Sequence, residues 1–217
     1  MIFPTLIGKP FGYVNLDLLA REVEGHDQSS LSSFLNPDLC NTMLRAQHFK
    51  RGIAWSYGGL LEDRSTVWRG SYLEPEQKFV HLGIDFNAPE GTPIAADMPL
   101  TVFQVDTDHP TVGGWGTRVL AYTQLRDVSY VMLFAHLHRS LSLKRSDVIR
   151  KGETFARVGE MANNGQWYPH VHVQVMTADA YHYFEQNPDE LDGYGKAADL
   201  HALARMFPDP LQFVNLK

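Results

Sequence analysis

Short runs of apolar, aromatic and β-branched residues, separated by turn residues, narrow the choice of folds for this chain. The clearest run covers residues 130–137 and is typical of a buried strand. Similar runs cover residues 53–57, 66–68, 71–73, 100–105, 117–122, 148–158 and 169–176. Many short strands with turn signals between them favour antiparallel pairing. The sequence therefore predicts a mainly β fold, an antiparallel sheet or sandwich.

Helical signals flank this β-rich region on both sides. Asn36 and Pro37 predict the start of a helix over residues 39–48, because proline is tolerated in a first helical turn. Residues 199–207 are amphipathic at helical spacing, and Pro208 ends the pattern. We therefore divide the chain into a partly helical N-terminal flank (1–65), a core (66–180) and a C-terminal extension with a helix (181–217). The flank either packs on the core or covers a site as a lid.

Composition excludes several classes of partner. The chain has 217 residues with a formal net charge of -6, which does not suggest binding to nucleic acid or to an anionic membrane. Cys40 is the single cysteine, so an internal disulfide is impossible. No apolar run is long enough for a membrane span, and no signal peptide is visible. We expect a cytoplasmic protein by default, and the oligomeric state stays open.

Histidines and one carboxylate recur where predicted strands end. In an extended segment alternate side chains share a face, so His81 and Asp85 point to the same side. The same alternation places His170, His172 and Gln174 on one face and the intervening valines on the other. A lone histidine or an Asp beside a turn is commonly structural. Imidazole and carboxylate together are nevertheless ligands that zinc accepts, and the separate segments could converge.

Five motifs follow one another in this region and carry a resemblance. They are His81-Leu82-Gly83-Ile84-Asp85, Ala88-Pro89-Glu90-Gly91-Thr92-Pro93, Ala135-His136-Leu137, Gly152-Glu153 with Gly159, and Pro169-His170-Val171-His172. In order and spacing they resemble the lysostaphin-type (LytM-like) zinc metalloendopeptidases, over residues 68–176. The resemblance implies a β-sheet peptidase core of that type. Phe134 departs from the tyrosine that is common in the family at this point.

The resemblance also implies roles for individual residues. His81, Asp85 and His172 correspond to the ligands of one zinc ion, and His136 and His170 to the two catalytic histidines that are not ligands. A zinc-bound water would attack the peptide bond while these histidines move protons. The implied function is a zinc metallopeptidase, a hydrolase that cuts peptidoglycan crosslinks or glycine-rich peptides.

Four further residues are candidates for the site on weaker grounds. Tyr72 is a possible donor to the oxyanion, because family members use a tyrosine near the first ligand. The loop before the last motif contributes Asn164, Trp167 and Tyr168 as a possible cleft wall. Packing beneath the loop is the other interpretation of these aromatic residues.

Other functions compete with this one. A catalytically inactive zinc-binding module, regulatory or directed to the cell wall, would use the same fold. A lipoyl-type carrier would need an exposed lysine at a hairpin tip between apolar neighbours, and the sequence offers none. A cupin would need a carboxylate near Gln174.

Overall fold

The computed structural model describes residues 1–25, 30–108 and 113–217. The strands in these ranges are β1 (Phe11–Tyr13), β2 (Trp55–Gly58), β3 (Val80–His81), β4 (Ile84–Asn87), β5 (Pro93–Ala95), β6 (Leu100–Thr107), β7 (Thr117–Leu125), β8 (Val128–Leu137), β9 (Val148–Ile149), β10 (Thr154–Arg157), β11 (Val171–Thr177) and β12 (Tyr194–Gly195). The α-helices are α1 (Leu16–Glu24), α2 (Pro37–Arg51), α3 (Ala178–Gln186) and α4 (Leu200–Met206). The prediction of a mainly β fold is confirmed.

Eight strands form one sheet in the order β1-β2-β4-β11-β8-β7-β6-β9. Its pairs are antiparallel except at one edge, where β1 runs parallel to β2. Two smaller antiparallel pairs, β10 with β5 and β12 with β3, lie beside it. The N-terminal flank and the core therefore share a sheet, since β1 and β2 come from residues before 66.

Strand alternation divides the apolar residues between the two faces of this sheet. Val171, Val173 and Val175 of β11 enter the main core. Met176 of the same strand points to the opposite face, where α3 and α4 contribute Phe184 and other side chains to a separate cluster. The functional candidates lie on this opposite face, because His172 and Gln174 alternate with the valines.

The predicted strands at 66–68 and 71–73 are wrong, because residues 65–77 form turns and bends. The backbone N–H groups of Thr66 and Val67 donate to Asp17 Oδ1 at 2.7 and 3.2 Å instead of to a neighbouring strand. Trp68 and Leu73 are buried in a second apolar cluster. Their apolar character reflects this packing and not a strand.

The predicted helices are confirmed as α2 and α4. The side chain of Asn36 accepts hydrogen bonds from the N–H groups of Asp38 and Leu39 and so caps α2. The described residues include no helix that is long and apolar enough to cross a bilayer.

Candidate metal and catalytic site

Three acceptor atoms from three strands meet in one small volume. His81 Nε2 lies 3.0 Å from His172 Nδ1 and 3.4 Å from Asp85 Oδ1, and these last two atoms lie 3.1 Å apart. The three side chains are buried, with exposed fractions of 1–2%. Tetrahedral zinc, with bonds of about 2.0–2.1 Å, places its ligand atoms about 3.3 Å apart. The triangle therefore has the size of a zinc site.

In His81 and His172, the ring nitrogen that points away from the triangle (the outer nitrogen) has its own hydrogen-bond partner. This contact determines which nitrogen, the inner one, faces the triangle. His81 Nδ1 donates to the carbonyl oxygen of Gly59 at 3.0 Å. His172 Nε2 donates to Gln174 Oε1 at 3.1 Å, and Gln174 Nε2 in turn donates to the carbonyl of Asp192. In the neutral rings the inner nitrogens then carry lone pairs. Burial, followed by the charge of Arg64, lowers the pKa of His81 to about 3, so this ring is neutral.

The donor set therefore fits a divalent cation. Two imidazole nitrogens and a carboxylate oxygen lie within 3.4 Å of one another. A divalent cation at their centre would be bound by all three atoms. Three protein ligands also leave a fourth tetrahedral position for water or substrate, as in catalytic zinc sites.

Arg64 holds the outer oxygen of the carboxylate. Arg64 Nη1 donates to Asp85 Oδ2 at 2.7 Å, and Arg64 Nε donates to Glu62 Oε1 at 3.0 Å. The Tyr168 hydroxyl also donates to Asp85 Oδ2, at 3.3 Å. Burial alone would raise the pKa of Asp85, but the nearby Arg64 guanidinium holds it well below its ordinary value. Asp85 is therefore an anion with its inner oxygen free to bind a metal.

Sequence reasoning missed Arg64 and Tyr194. Arg64 Nη1 lies 3.2 Å from the Tyr194 hydroxyl, and the ring of Tyr194 lies 5.2 Å from that of His81. Tyr194 reaches this position because β12 pairs with β3, opposite His81. Both residues lie outside the motifs, and no sequence spacing ties them to the ligands.

His136 and His170 lie beside the triangle, with ring centroids 4.4 Å apart. His170 Nε2 lies 3.6 Å from Asp85 Oδ1. His136 Nδ1 donates to the carbonyl of Asn164 at 2.8 Å, and His170 Nδ1 donates to the carbonyl of Tyr168 at 2.7 Å. In each neutral ring Nε2 is then the nitrogen that can accept a proton. Burial lowers the pKa of both, and for His136 the neighbouring His170 lowers it further.

An irregular backbone aims His136. Its φ of 60° is left-handed, which is uncommon for a residue other than glycine. The pairing of β7 with β8 shifts register at the same point, which is the signature of a bulge. Regular alternation would place His136 in the core with Met132 and Phe134; instead it lines a cavity with His170 and His172. The left-handed backbone therefore turns the side chain of His136 away from the core and into this cavity.

The other residues considered from the sequence do not all line the cavity. His138 lies past the end of β8, where its ring pairs with Ser140 and Glu160. Tyr72, which is 56% exposed, and Trp167 line the same cavity as the three ligand candidates. Asn164 is fully buried and supports the loop by accepting from the N–H of Trp167.

Residues 79–184 match the sequence model of peptidase family M23. This segment belongs to that family. The resemblance to lysostaphin-type peptidases is therefore confirmed, and with it the general class of a peptidase domain. The four motif histidines and Asp85 lie inside the segment, whereas Arg64 and Tyr194 lie outside it.

Solved structures show partial likeness. A zinc-containing peptidase from Vibrio cholerae is 25% identical over 46% of this chain and 28% of its own length, with a TM-score of 0.36. The catalytic domain of lysostaphin from Staphylococcus simulans is 23% identical over 46% of this chain and 68% of its own, with a TM-score of 0.38. LytU is 22% identical over 59% and 81%, with a TM-score of 0.37. No curated protein matches the chain.

Proposed function

We propose that the chain is a zinc-dependent metalloendopeptidase that hydrolyses peptide bonds in peptidoglycan crosslinks or in glycine-rich peptides. His81, Asp85 and His172 hold one zinc ion per chain. The observation that carries the proposal is the triangle of two imidazole nitrogens and one carboxylate oxygen within 3.4 Å. The M23 segment supports the reaction class.

Bound zinc would supply a water of lowered pKa and polarise the carbonyl oxygen of the substrate. The two flanking histidines do the proton chemistry. His136 and His170 are neutral because burial lowers the pKa of each, and a neutral imidazole is the form that a general base needs. One of them takes the proton of the attacking water at Nε2, and a protonated imidazole then delivers a proton to the leaving amine. Tyr72 is our candidate for the donor to the oxyanion, and Trp167 and Tyr168, which line the cavity, for the cleft wall. Asn164 supports the loop behind them.

The ligand and base roles are separable by measuring metal content and cleavage together. We expect about one zinc per chain in the wild type, and chelator-sensitive cleavage of at least one of purified peptidoglycan, pentaglycine and generic peptides. His172→Ala removes a ligand, so zinc and activity should both be lost. His136→Ala and His170→Ala should retain zinc and lose at least about 100-fold in kcat, the share of a general acid or base.

His138→Ala is the matched control, because this histidine lies outside the triangle and should leave zinc and cleavage unchanged. Loss of zinc from His136→Ala, or its retention by His172→Ala, would contradict the assignment. Zinc binding without cleavage of any substrate would instead favour an inactive zinc-binding module.

A further inference from the structure

The cavity that contains the candidate site extends far beyond the motif residues. It measures about 270 Å³ and reaches from His136, His170 and His172 to the N-terminal flank. On that far side it is lined by apolar side chains and one thiol, which we call the apolar wall: Leu16, Phe34, Leu35, Pro37, Cys40, Val67 and Trp68. The whole of this wall precedes the M23 segment, so the family match does not account for it.

The apolar wall is a fixed part of the fold. Phe34, Cys40 and Trp68 are at most 4% exposed and belong to one buried cluster. The turn that carries Phe34 and Leu35 is held by Glu24, whose Oε1 accepts from the hydroxyl of Ser32 and the N–H of Ser33, both at 2.8 Å. Such a wall is formed before any ligand arrives, which lowers the cost of binding.

Two tyrosines join the apolar wall to the zinc ligands. Tyr168 packs in the cluster of the wall, and its hydroxyl donates to Asp85 Oδ2 at 3.3 Å. The ring of Tyr194 contacts Trp68, with centroids 5.1 Å apart, and its hydroxyl lies 3.2 Å from Arg64 Nη1. The polar ends of both rings face the site and their apolar faces meet the wall. A single side chain, Tyr168, therefore contacts both the cluster of the apolar wall and the ligand candidate Asp85.

The guanidinium of Arg64, which lines the cavity beside the wall, is already paired. Arg64 lies between Glu62 and Asp85, and all three are buried. Cys40 is a neutral thiol, because burial raises its pKa. Asp108 and Asp192 also line the cavity but are not part of the wall, whose side chains carry no charge. A charged group buried against the wall would therefore lose its hydration without gaining a partner from it, whereas an apolar side chain would gain burial.

We propose that the apolar wall binds a bulky apolar side chain of the substrate, aliphatic or aromatic, in a residue that flanks the cleaved bond. The proposal rests on the proposed peptidase function and narrows it. Among crosslink and glycine-rich peptides, the preferred substrates carry one such residue beside otherwise small ones.

A cleavage assay on the full, zinc-loaded chain tests this preference. The substrates are quenched fluorescent peptides with a glycine background and one varied position: Gly, Ala, Leu, Phe, Glu or Lys. Because one methylene in an apolar pocket changes kcat/KM about tenfold or more, Leu and Phe peptides should exceed the Gly peptide at least about tenfold. Mass spectrometry of the products should place the cut next to the varied residue. Equal or better cleavage of Gly, Glu or Lys peptides would overturn the proposal.

Two variants of Leu35 test whether the wall causes the preference. Leu35→Arg places a cation in the wall and should shift the preference from Leu and Phe to Glu. Leu35→Trp fills the space and should shift it towards Gly and Ala. Leu18→Arg is the matched control, since Leu18 is 55% exposed on the same flank and should keep the wild-type preference. An unchanged preference in both folded Leu35 variants would exclude the wall.

A binding measurement separates this proposal from the proposed function. In the metal-free chain, the fluorescence of Trp68 and Trp167 should report uncut peptide, and the Phe peptide should bind at least about tenfold more tightly than pentaglycine. Zinc-dependent cleavage with a glycine preference would overturn the apolar pocket and leave the peptidase intact. Phe-selective binding without zinc-dependent cleavage would overturn the peptidase and leave the apolar pocket intact. Absence of both selective binding and cleavage would overturn both.

Discussion

At the scale of single residues, Arg64 is a buried cation outside the motifs that contacts a ligand candidate. It is 3% exposed and bridges two carboxylates, Glu62 and Asp85. By occupying the outer oxygen of Asp85, it leaves the inner oxygen for a metal and fixes the plane of the carboxylate. Supporting groups of this kind commonly change metal affinity 10–100-fold. We regard Arg64 as a positioning residue for the ligand.

Replacing Arg64 by methionine should destabilise the metal-free protein. Asp85 and Glu62 would remain buried without their cation, which costs about 3–5 kcal/mol of unfolding free energy. Urea unfolding monitored by circular dichroism measures this loss. Zinc should restore part of the stability, because a divalent ion also compensates Asp85.

Arg118→Met is the matched control for that experiment. Arg118 pairs with Asp106 at 2.6 Å, but the two side chains are 20% and 34% exposed. Partly hydrated pairs contribute about 0–1 kcal/mol. Equal losses in the two variants would show that burial of the Arg64 pairs does not matter.

A glycine is needed at position 83, because the ring of His172 occupies the space that a Cβ atom would take. A Cβ there would lie 2.6 Å from His172 Cε1 and Nε2 and 2.7 Å from the carbonyl oxygen of Val173. Gly83→Ala should push His172 away and weaken zinc binding about 10–100-fold in a competition titration. In Gly12→Ala the closest atom is Arg51 Nη2, the movable end of a long side chain, so zinc affinity should not change.

At the scale of elements, regular patterns predict the strands, and irregularities position the site. The alternation in β11 indicates from sequence that His172 and Gln174 leave the core. The bulge at the end of β8 has no such signal, because Phe134-Ala135-His136-Leu137 continues a regular strand pattern. The side-chain direction of His136 depends on its backbone N–H donating to the carbonyl of Trp115 and its carbonyl accepting from Gly159.

The contact between α2 and β2 should make stability depend on pH. His48 Nε2 lies 2.7 Å from the buried Ser56 hydroxyl, and burial, followed by Arg51, lowers the pKa of His48. The unfolded chain then binds a proton near pH 6.5 while the folded chain does not, so stability is lost as pH falls below about 6.5. His48→Gln should reduce this dependence between pH 7 and 5, measured by urea unfolding.

His201→Gln is the control for that measurement, because His201 is exposed on α4. Its pH dependence should match that of the wild type. A His48→Gln protein with an unchanged slope would mean that His48 does not remain neutral in the fold.

Across the whole molecule, segments outside the M23 match complete the site. The flank contributes Arg64 and most of the apolar wall, and the C-terminal extension contributes Tyr194 beside His81. The flank also enters the main core, where the ring of Phe3 lies 5.3 Å from that of Trp55 and 6.4 Å from that of Phe86. The predicted boundary at residue 65 stays a prediction, but the contacts across it are extensive.

Removing residues 1–65 should therefore prevent cooperative folding. The fragment 66–217 lacks β1 and β2, so β4 becomes an exposed sheet edge and Phe86 loses its aromatic partners. We expect a broad urea transition and loss of zinc binding compared with the full chain. A fragment that unfolds cooperatively and binds zinc equally well would show that the flank is an independent unit.

The sequence alone determined features that depend on neighbouring residues: the mainly β class, the cap of α2, the alternation in β11 and the motif set that resembles the family. Each follows from local geometry, in which spacing along the chain fixes the face of a strand or the start of a helix. Only the tertiary structure decided which nitrogen of each histidine faces inward, that Arg64 holds Asp85, and that an apolar wall adjoins the site. These depend on contacts between residues far apart in the chain, for which spacing along the sequence contains no signal.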